Sequence, residues 1–419
     1  MKFLLVLSLF TMAGCAARKT AMTPVPPDTK DTLISSLLHR HPQYFDTLLS
    51  QGDRWKIRVI YTQIDRKENN EPVFTDHIFQ TGPETYFYPA STVKMPVAVL
   101  ALQRLHELGI PGLDRNATMI TGASRPAQTR VCNDPSSADG RPTIAHYIRK
   151  IFLVSDNDAF NRLYEFLGQE YINGTLQKMG YDSVQIIHHL NISLPEEENR
   201  WSNPVSFYDT SGALLYAKPA SRSFMTYQPR HTLLGEGYMS AGSLVNRPFD
   251  FSMKNRFRLA DLHQVLRSII FPQAVPPRQR FHLGPDDYDF LYRYMSMKPR
   301  ESDFPEYDSS YTDAYSKLLL YGGRGELDPD IRIFNKEGDA YGFLTDVAYI
   351  VDFDKGIEFM LSATIYCNSD GIFNDDHYDY DQVGYPFMKH LGEVVYQYEL
   401  ARKKQHLPDL SGFKIKYGK

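Results

Sequence analysis

The sequence predicts an α+β fold, in which an antiparallel sheet built from both ends of the chain packs beside a central helical lobe. Strand patterns occur near the two ends of the expected folded region, whereas helical periodicity fills the middle. The 419 residues are 42% hydrophobic and 23% charged, with 28 Tyr and 25 Phe, which is the composition of a packed globular protein. We expect a sheet lobe over 33–85 and 328–419, and a helical lobe over 86–327.

The strand predictions rest on alternation and on β-branched and aromatic residues. The segment 55–62, WKIRVIYT, predicts a strand, and a second follows at 73–80 after a polar turn. Near the other end, DVAYIVDF and IEFMLSATIY flank the turn residues DKG, which is a hairpin signal. Apolar periodicity of 3.6 predicts the helices 91–107, 141–154, 157–167, with Asn157 or Asp158 as its cap, 258–270, 285–297 and 385–404.

Residues 195–250 form a long insert that is rich in Pro, Gly and Ser and shows no clear periodicity. An irregular segment of this length inside a compact protein is usually a lid or a binding surface, or else it is poorly ordered. The sequence leaves these alternatives open.

The N-terminal segment MKFLLVLSLFTMAGC indicates export from the cytoplasm. One Lys precedes an apolar run that is too short for a lasting membrane span, and small residues precede Cys15. This pattern resembles a bacterial lipoprotein signal peptide at 1–14, which implies lipidation of Cys15 and a polar, Pro-rich tether at 15–32. We therefore expect a lipid-anchored protein on the periplasmic or surface side of the bacterial cell envelope. A secretory signal cleaved elsewhere is the alternative.

Charge and cysteine usage narrow the classes of partner and cofactor. The net charge is −4 without a long basic run, which gives no case for nucleic-acid binding. Cys132 and Cys367 stand far apart without metal-ligand spacing, and the sequence does not decide whether they pair. The acidic segment 372–381, IFNDDHYDYD, is interpreted as an exposed turn, because its spacing fits no cation loop. No metal or organic cofactor is implied.

Ser91 and Lys94 form a Ser-x-x-Lys sequence at the start of the helix predicted over 91–107. Residues three apart share a helix face, so Lys94 is expected to reach Ser91. The surrounding apolar residues predict a buried helix, and burial favours the neutral amine that can take a proton from a serine hydroxyl. Taken alone, the pair also fits ordinary polar residues at the start of a buried helix.

Two further groups of polar residues follow the first along the chain. Ser155, Asp156 and Asn157 lie at a break between two predicted helices, where Ser, Asp and Asn are also common as helix caps. A serine hydroxyl there can pass a proton, and an asparagine amide can hold a substrate amide. Lys336 and Gly338 are predicted to lie just before a pair of strands.

The three groups resemble, in order and in placement, the Ser-x-x-Lys, Ser-Asp-Asn and Lys-Thr-Gly motifs of the class A β-lactamases and penicillin-binding proteins. The resemblance implies a β-lactamase/transpeptidase-like fold and a serine hydrolase that forms an acyl-enzyme on a β-lactam or a peptidoglycan peptide. It implies that Ser91 is the nucleophile, that Lys94 is its base or a proton relay, and that Ser155 is a proton shuttle. It also implies that Asn157, Lys336 and Gly338 bind substrate, and that the Ser91 and Asp339 N–H groups form the oxyanion hole.

Two features depart from that family pattern. The third motif reads Lys-Glu-Gly, so Glu337 stands where the family has a hydroxyl that helps to bind the substrate carboxylate. The glutamate that activates water for deacylation has no clear counterpart. Its candidates are Glu196, Glu197 and Glu198, which also fit a solvated acidic turn. The alternative function is therefore a non-hydrolytic envelope lipoprotein that uses the same scaffold as a binding module.

Overall fold

The computed structural model describes residues 32–82 and 86–417. The predicted signal peptide, Cys15 and nearly all of the tether lie outside these residues. Within the described ranges, no helix combines the length and the apolar character needed to cross a bilayer.

Helices and strands alternate in blocks along the described chain. The helices are α1 Thr32–His39, α2 Pro42–Leu49, α3 Lys94–Leu108, α4 Ile144–Val154, α5 Asn157–Leu167, α6 Gln169–Lys178, α7 Glu196–Arg200, α8 Leu259–Ile270, α9 Pro285–Ser296 and α10 Tyr385–Ala401. The strands are β1 Arg58–Arg66, β2 Pro72–Gln80, β3 Thr118–Thr121, β4 Trp201–Ser202, β5 Val205–Tyr208, β6 Leu214–Lys218, β7 Ser221–Arg222, β8 Leu233–Leu234, β9 Gly237–Ser240, β10 Ser243–Val245, β11 Phe249–Asp250, β12 Ile331–Ala340, β13 Phe343–Asp352, β14 Ile357–Tyr366 and β15 Ile372–Phe373.

The main sheet of the described residues has five strands in the order β12-β13-β14-β1-β2, and all neighbours are antiparallel. Because β1 pairs with β14, the two ends of the chain meet inside the sheet, with Val59 opposite Ala363. The predicted fold class, a sheet from both chain ends beside a central helical lobe, is confirmed.

Each face of the sheet covers its own hydrophobic core. Successive side chains of a strand point to opposite faces, so Val59 and Tyr61 join one core while Ile60 and Ile64 join the other. The first core lies against α1, α2 and α10, and the second lies against the helical lobe, with α3 at its centre. All ten residues of β13 are buried, as expected of a strand covered on both faces.

Three parts of the fold differ from the sequence prediction. Lys336 and Gly338 lie inside β12 and not before it, because the polar run from 335 to 339 pairs with β13 along its whole length. Helices α1, α2 and α6 were not predicted, since they are short and their apolar stripes are narrow. The cap of α5 is Asp156, which accepts a hydrogen bond from the Ala159 N–H at 2.7 Å, and not Asn157 or Asp158.

The insert at 195–250 is not without secondary structure. It contains α7 and the strands β4 to β11, most of them two to four residues long, which is too short to show a period in the sequence. Phe249 and Phe251 pack on Tyr341, with ring centroids 5.6 and 5.4 Å apart, and Tyr88 lies 5.1 Å from the same ring. The end of the insert therefore packs against the turn between β12 and β13 and against the segment that precedes Ser91.

Candidate active site

Ser91 lies in a 3₁₀ turn, Ala90–Val93, that leads directly into α3. The residue before it, Ala90, has a φ of 44°, a left-handed conformation that is strained for a residue with a side chain. This strain is held in place because α3 is buried on nearly every side. The turn leaves Ser91 half-buried, and its hydroxyl donates or accepts no hydrogen bond with a described residue.

Gly338 brings the third motif against the first. A Cβ at this position would lie 2.7 Å from the Ser91 nitrogen, 2.8 Å from the Thr92 nitrogen and 3.0 Å from the Pro89 carbonyl oxygen. Real side chains do not approach backbone atoms so closely, so only glycine lets β12 touch the turn that carries Ser91. The implied role of Gly338 in substrate binding stays a prediction, and the structure adds this close contact with the Ser91 turn.

Ser155 links the second motif to both lysines. It caps the C-terminal end of α4 in a left-handed conformation, with a φ of 59°, which turns its side chain away from the helix. Its hydroxyl oxygen accepts a hydrogen bond from Lys336 Nζ at 2.8 Å and lies 3.2 Å from Lys94 Nζ. The Ser155 hydroxyl is therefore placed between two amines, which is the arrangement needed to pass a proton.

Lys94 is fully buried, and its amine is held by the second motif. Nζ contacts the carbonyl and hydroxyl oxygens of Ser155 and donates to Asn157 Oδ1 at 2.8 Å. Because Asp156 caps α5, the Asn157 side chain is free to accept this bond. Burial, and secondly the positive charge of Lys336, hold the pKa of Lys94 well below its ordinary value, which favours the neutral amine.

The expectation that Lys94 reaches Ser91 is not met by a hydrogen bond in this structure. Among the described contacts, those of the Lys94 amine go to Ser155 and Asn157. The two side chains leave adjacent turns, one from the 3₁₀ turn and one from the first residue of α3, so the ideal helical spacing behind the expectation does not apply.

The sequence model of the beta-lactamase enzyme family matches residues 43–398. The chain belongs to this family. Its match covers most of the chain and includes all three motifs. Membership in the beta-lactamase enzyme family supports a hydrolase function.

Several solved structures are similar to this member of the family. The beta-lactamase from Sphaerobacter thermophilus DSM 20745 is 12% identical, with 88% of this chain and 98% of that chain covered and a TM-score of 0.46. A beta lactamase from Xanthomonas campestris pv. campestris str. ATCC 33913 is 14% identical, with 87% and 98% covered and a TM-score of 0.46. PBP-A is 15% identical, with 87% and 96% covered and a TM-score of 0.45. No curated protein matches the chain.

This beta-lactamase family member departs from the family motif at Glu337, whose carboxylate turns to the neighbouring lysine. Lys336 Nζ donates to Glu337 Oε1 at 2.8 Å and to the Glu337 carbonyl at 2.9 Å, and both side chains are buried. Burial acts to raise the pKa of Glu337, but the charge and hydrogen bond of Lys336 outweigh it and hold that pKa below its usual value. Glu337 is therefore an ionised partner of Lys336.

Asp339 lies two residues farther along β12, on the same side of the strand as Glu337. Asp339 is exposed to solvent at the side-chain surface. Desolvation by the neighbouring protein, and secondly the charge of Glu337, raise the pKa of Asp339. The edge of β12 beside Ser91 thus carries two carboxyl groups.

The three glutamates considered as deacylation base are all paired elsewhere. They lie on α7, where Glu196 pairs with Arg200 at 2.7 Å, Glu197 with Arg222 at 2.7 Å and Glu198 with Arg125 at 2.5 Å. These arginines hold the pKa of Glu197 at about 2 and lower that of Glu198. The structure places these glutamates in an exposed acidic helix and not in contact with the lysine network.

A polar layer beneath β12 was missed at the sequence level. Lys317 Nζ donates to Asn335 Oδ1 at 2.7 Å, and the Asn335 amide donates to Asp346 Oδ1 at 2.8 Å. Asp346 also accepts the N–H groups of Leu318 and Leu319, so it fixes the loop that precedes β12. The sequence carried a signal for one of the three residues, because Asp346 stands within the apolar run of β13, which predicts burial.

The remaining candidates carry no site chemistry among the described residues. The segment 372–381 is mostly exposed or half-buried, and no cluster of three His, Cys, Asp or Glu side chains in the described ranges could hold a metal. Cys132 is exposed and Cys367 is buried, and both are free thiols. His189 is buried and contacts Glu165.

Proposed function

We propose that this protein is a serine hydrolase that forms an acyl-enzyme on Ser91 with an amide or lactam substrate, either a β-lactam or a peptidoglycan peptide. The observation that carries the proposal is the position of the Ser155 hydroxyl between Lys94 and Lys336, with Gly338 packed on the Ser91 turn. Three motifs separated by up to 245 positions, from 91 to 336, supply this one cluster.

The proposed acylation step follows from the protonation states of these groups. Ser91 Oγ attacks the substrate carbonyl while its proton passes to the neutral Lys94 amine. That step requires Ser91 or Lys94 to rotate toward the other, because their hydrogen bond is absent here. The proton then returns through the Ser155 hydroxyl to the leaving nitrogen. The backbone N–H groups of Ser91 and Asp339 would hold the developing oxyanion.

Deacylation is proposed to be slow. Hydrolysis of the ester on Ser91 needs a base that activates water, and the three acidic candidates on α7 are bound to arginines. Within the described residues, the groups in hydrogen-bond contact with Ser155 are lysines and not carboxylates. The covalent adduct should therefore persist long enough to be observed by mass.

We predict that replacing Ser91 by alanine abolishes covalent labelling. Intact-mass spectrometry of the wild type should show one adduct with a fluorescent penicillin or with a broad serine-reactive phosphonate, because the hydroxyl is the acylated atom. Ser91→Ala should show none. Ser411→Ala, in the C-terminal tail, is the matched control and should label as the wild type does. Labelling that persists in Ser91→Ala would contradict the proposal.

A non-hydrolytic binding module is the second candidate. It is favoured by two observations: the Lys94 amine bonds to residues other than Ser91, and Glu337 already neutralises Lys336. On this alternative, no probe forms an adduct, whereas reversible binding to the same cleft is retained and is unaffected by Ser91→Ala.

We also propose that the protein is anchored to the bacterial cell envelope by lipids on Cys15. The support is the signal-peptide pattern of residues 1–14, and multiple acyl chains on one residue hold a protein firmly on a membrane. Wild-type protein from cells should enter the detergent phase on Triton X-114 partition, and Cys15→Ser should stay in the aqueous phase. If both proteins stay in the aqueous phase, a plain secretory signal replaces the anchor.

A further inference from the structure

We infer that Glu337 and Asp339 exclude anionic groups from the β12 edge, so that this site takes acyl substrates whose group next to the scissile bond is neutral or cationic. The inference deepens the proposed function and rests on it for the identity of the reacting bond. The selection of charge itself is a property of binding and is measurable without any reaction.

The first step of the argument is that Lys336 has no donor left. An ammonium group has three N–H donors. In this structure Lys336 Nζ donates to Ser155 Oγ at 2.8 Å, to Glu337 Oε1 at 2.8 Å and to the Glu337 carbonyl at 2.9 Å. A substrate carboxylate could bind Lys336 only by displacing one of these three acceptors, and if it displaced either of the other two it would lie beside the Glu337 carboxylate.

The second step is that displacement is unfavourable. The Glu337 side chain is 9% exposed and the Lys336 side chain is 0% exposed, so both charges depend on each other for compensation. Removing one partner of a buried ion pair leaves an unpaired buried charge, which is strongly destabilising. Lys94 and Lys317 also interact electrostatically with Glu337, but Lys336 is the cation that donates a hydrogen bond to its carboxylate, so an incoming carboxylate would break that pairing.

The third step concerns the charge that an incoming group would meet. Lys336 and Glu337 compensate each other, and burial disfavours the charged form of Lys94, so Asp339 is the exposed ionisable residue of this part of β12. Asp339 is exposed and lies on the same side of β12 as Glu337. A second anion there would be repelled, whereas an ammonium group would be attracted and a neutral amide would be tolerated.

The loop before β12, which carries Tyr315 and Lys317, does not offset the negative charge of this strand edge. Tyr315, which is 42% exposed, interacts electrostatically with both Glu337 and Asp339, and it is a hydroxyl-bearing neutral residue. The buried Lys317 is committed to Asn335 and to the Met295 carbonyl. Neither supplies a free positive charge to the cleft.

The test compares three penicillin probes that share one fluorophore and differ only at the carboxyl position, which is a free carboxylate, a carboxamide or an aminoethylamide. Fluorescence polarisation measures reversible binding to Ser91→Ala, and to Ser91→Ala combined with Glu337→Thr or Glu337→Gln. The control is Glu301→Gln in the same background. This change removes a carboxylate that pairs at 2.8 Å with Arg332, a residue of β12.

With Glu337 present, the amide and aminoethylamide probes should bind at least about tenfold more tightly than the carboxylate. Glu337→Thr and Glu337→Gln should strengthen carboxylate binding roughly tenfold and change amide binding little, while Glu301→Gln should leave the preference unchanged. Equal binding of the three probes, no binding of any probe, or a preference unaffected by both Glu337 variants would overturn the inference. Failure of the proposed function is a different result: the wild type then shows the charge preference in reversible binding but forms no Ser91 adduct.

Discussion

Lys94→Met is expected to slow acylation of Ser91 by roughly a hundredfold to ten-thousandfold, the usual contribution of a general base. Methionine keeps the length and the apolar stem of the buried side chain but removes the amine that would take the serine proton. Stopped-flow measurement of fluorescent-penicillin labelling, or of phosphonate labelling where penicillin is slow, gives the rate directly.

The pH dependence of that rate is a second readout of the same variant. Only the neutral amine accepts a proton, so the wild-type rate should rise with pH through the pKa of Lys94 and then level off. Because burial and Lys336 hold this pKa well below its ordinary value, the rise should come at a lower pH than the titration of an ordinary lysine. Lys94→Met should lack this titration step.

The free energy of unfolding should rise with pH where Lys94 titrates, because the pKa of Lys94 is lower in the folded than in the unfolded protein. The unfolded lysine has a pKa of about 10.4 and the folded one is lower, so between the two values the unfolded chain binds the extra proton. Wild-type stability therefore rises with pH across this window. Any stability advantage of Lys94→Met over wild type, measured by denaturant unfolding, should be largest below the folded-state pKa of Lys94 and should shrink as the pH rises toward about 10.

Lys150→Met is the matched control for these measurements. Lys150 lies close to the second motif, where it pairs with Asp134 at 3.1 Å and with Asp156 at 3.6 Å, but it has no hydrogen bond to Ser155. Its loss should leave acylation within about threefold of the wild type. If Lys94→Met labels Ser91 as fast as Lys150→Met does, Lys94 is a structural residue and the proton must leave by another route.

The sequence predicted the structure correctly where a residue pattern has few alternative structural explanations. A lysine in an apolar helix predicts a buried amine whose charged form is disfavoured, and the structure shows Lys94 fully buried. The sheet was predictable because β1, β13 and β14 are long and rich in β-branched residues. These properties are local, so they are visible in the order of residues.

Other features depend on contacts that only the folded chain makes. The run from 335 to 339 has the composition of a turn, and it becomes a strand because it pairs with β13 along ten residues. Tyr341 and Gly342 form the two-residue turn after this strand, and both have positive φ. The sequence signal for such a turn is Asn-Gly or Asp-Gly, so Tyr-Gly did not reveal it. The partners of Lys94 could not be found in this way, because rotamers of a long side chain are chosen by neighbours about sixty residues away.

Gly338→Ala should produce the second large loss, and here the cause is steric. The added methyl group would lie 2.7 and 2.8 Å from the backbone nitrogens of Ser91 and Thr92, so β12 or the 3₁₀ turn must move. Neither moves easily, because β12 is paired with β13 throughout and the turn leads into the buried α3. We expect unfolding to become easier by about 1–3 kcal/mol, as for other overpacked sites. Displacing the nucleophile by about 1 Å should slow acylation roughly a hundredfold.

Gly174→Ala separates this steric effect from the general effect of adding a methyl group. Gly174 lies in α6 with no atom within 4 Å of its would-be Cβ, and alanine is the better helix former, so this variant should keep the wild-type labelling rate and unfold no more easily. Thermal unfolding and labelling rates of the two variants are compared under one condition. The decisive quantity is the rate at which Ser91 is labelled in the Gly338→Ala molecules that remain folded. If folded Gly338→Ala labels within about threefold of the wild type, the contact between β12 and the Ser91 turn supports the fold without setting the position of the nucleophile.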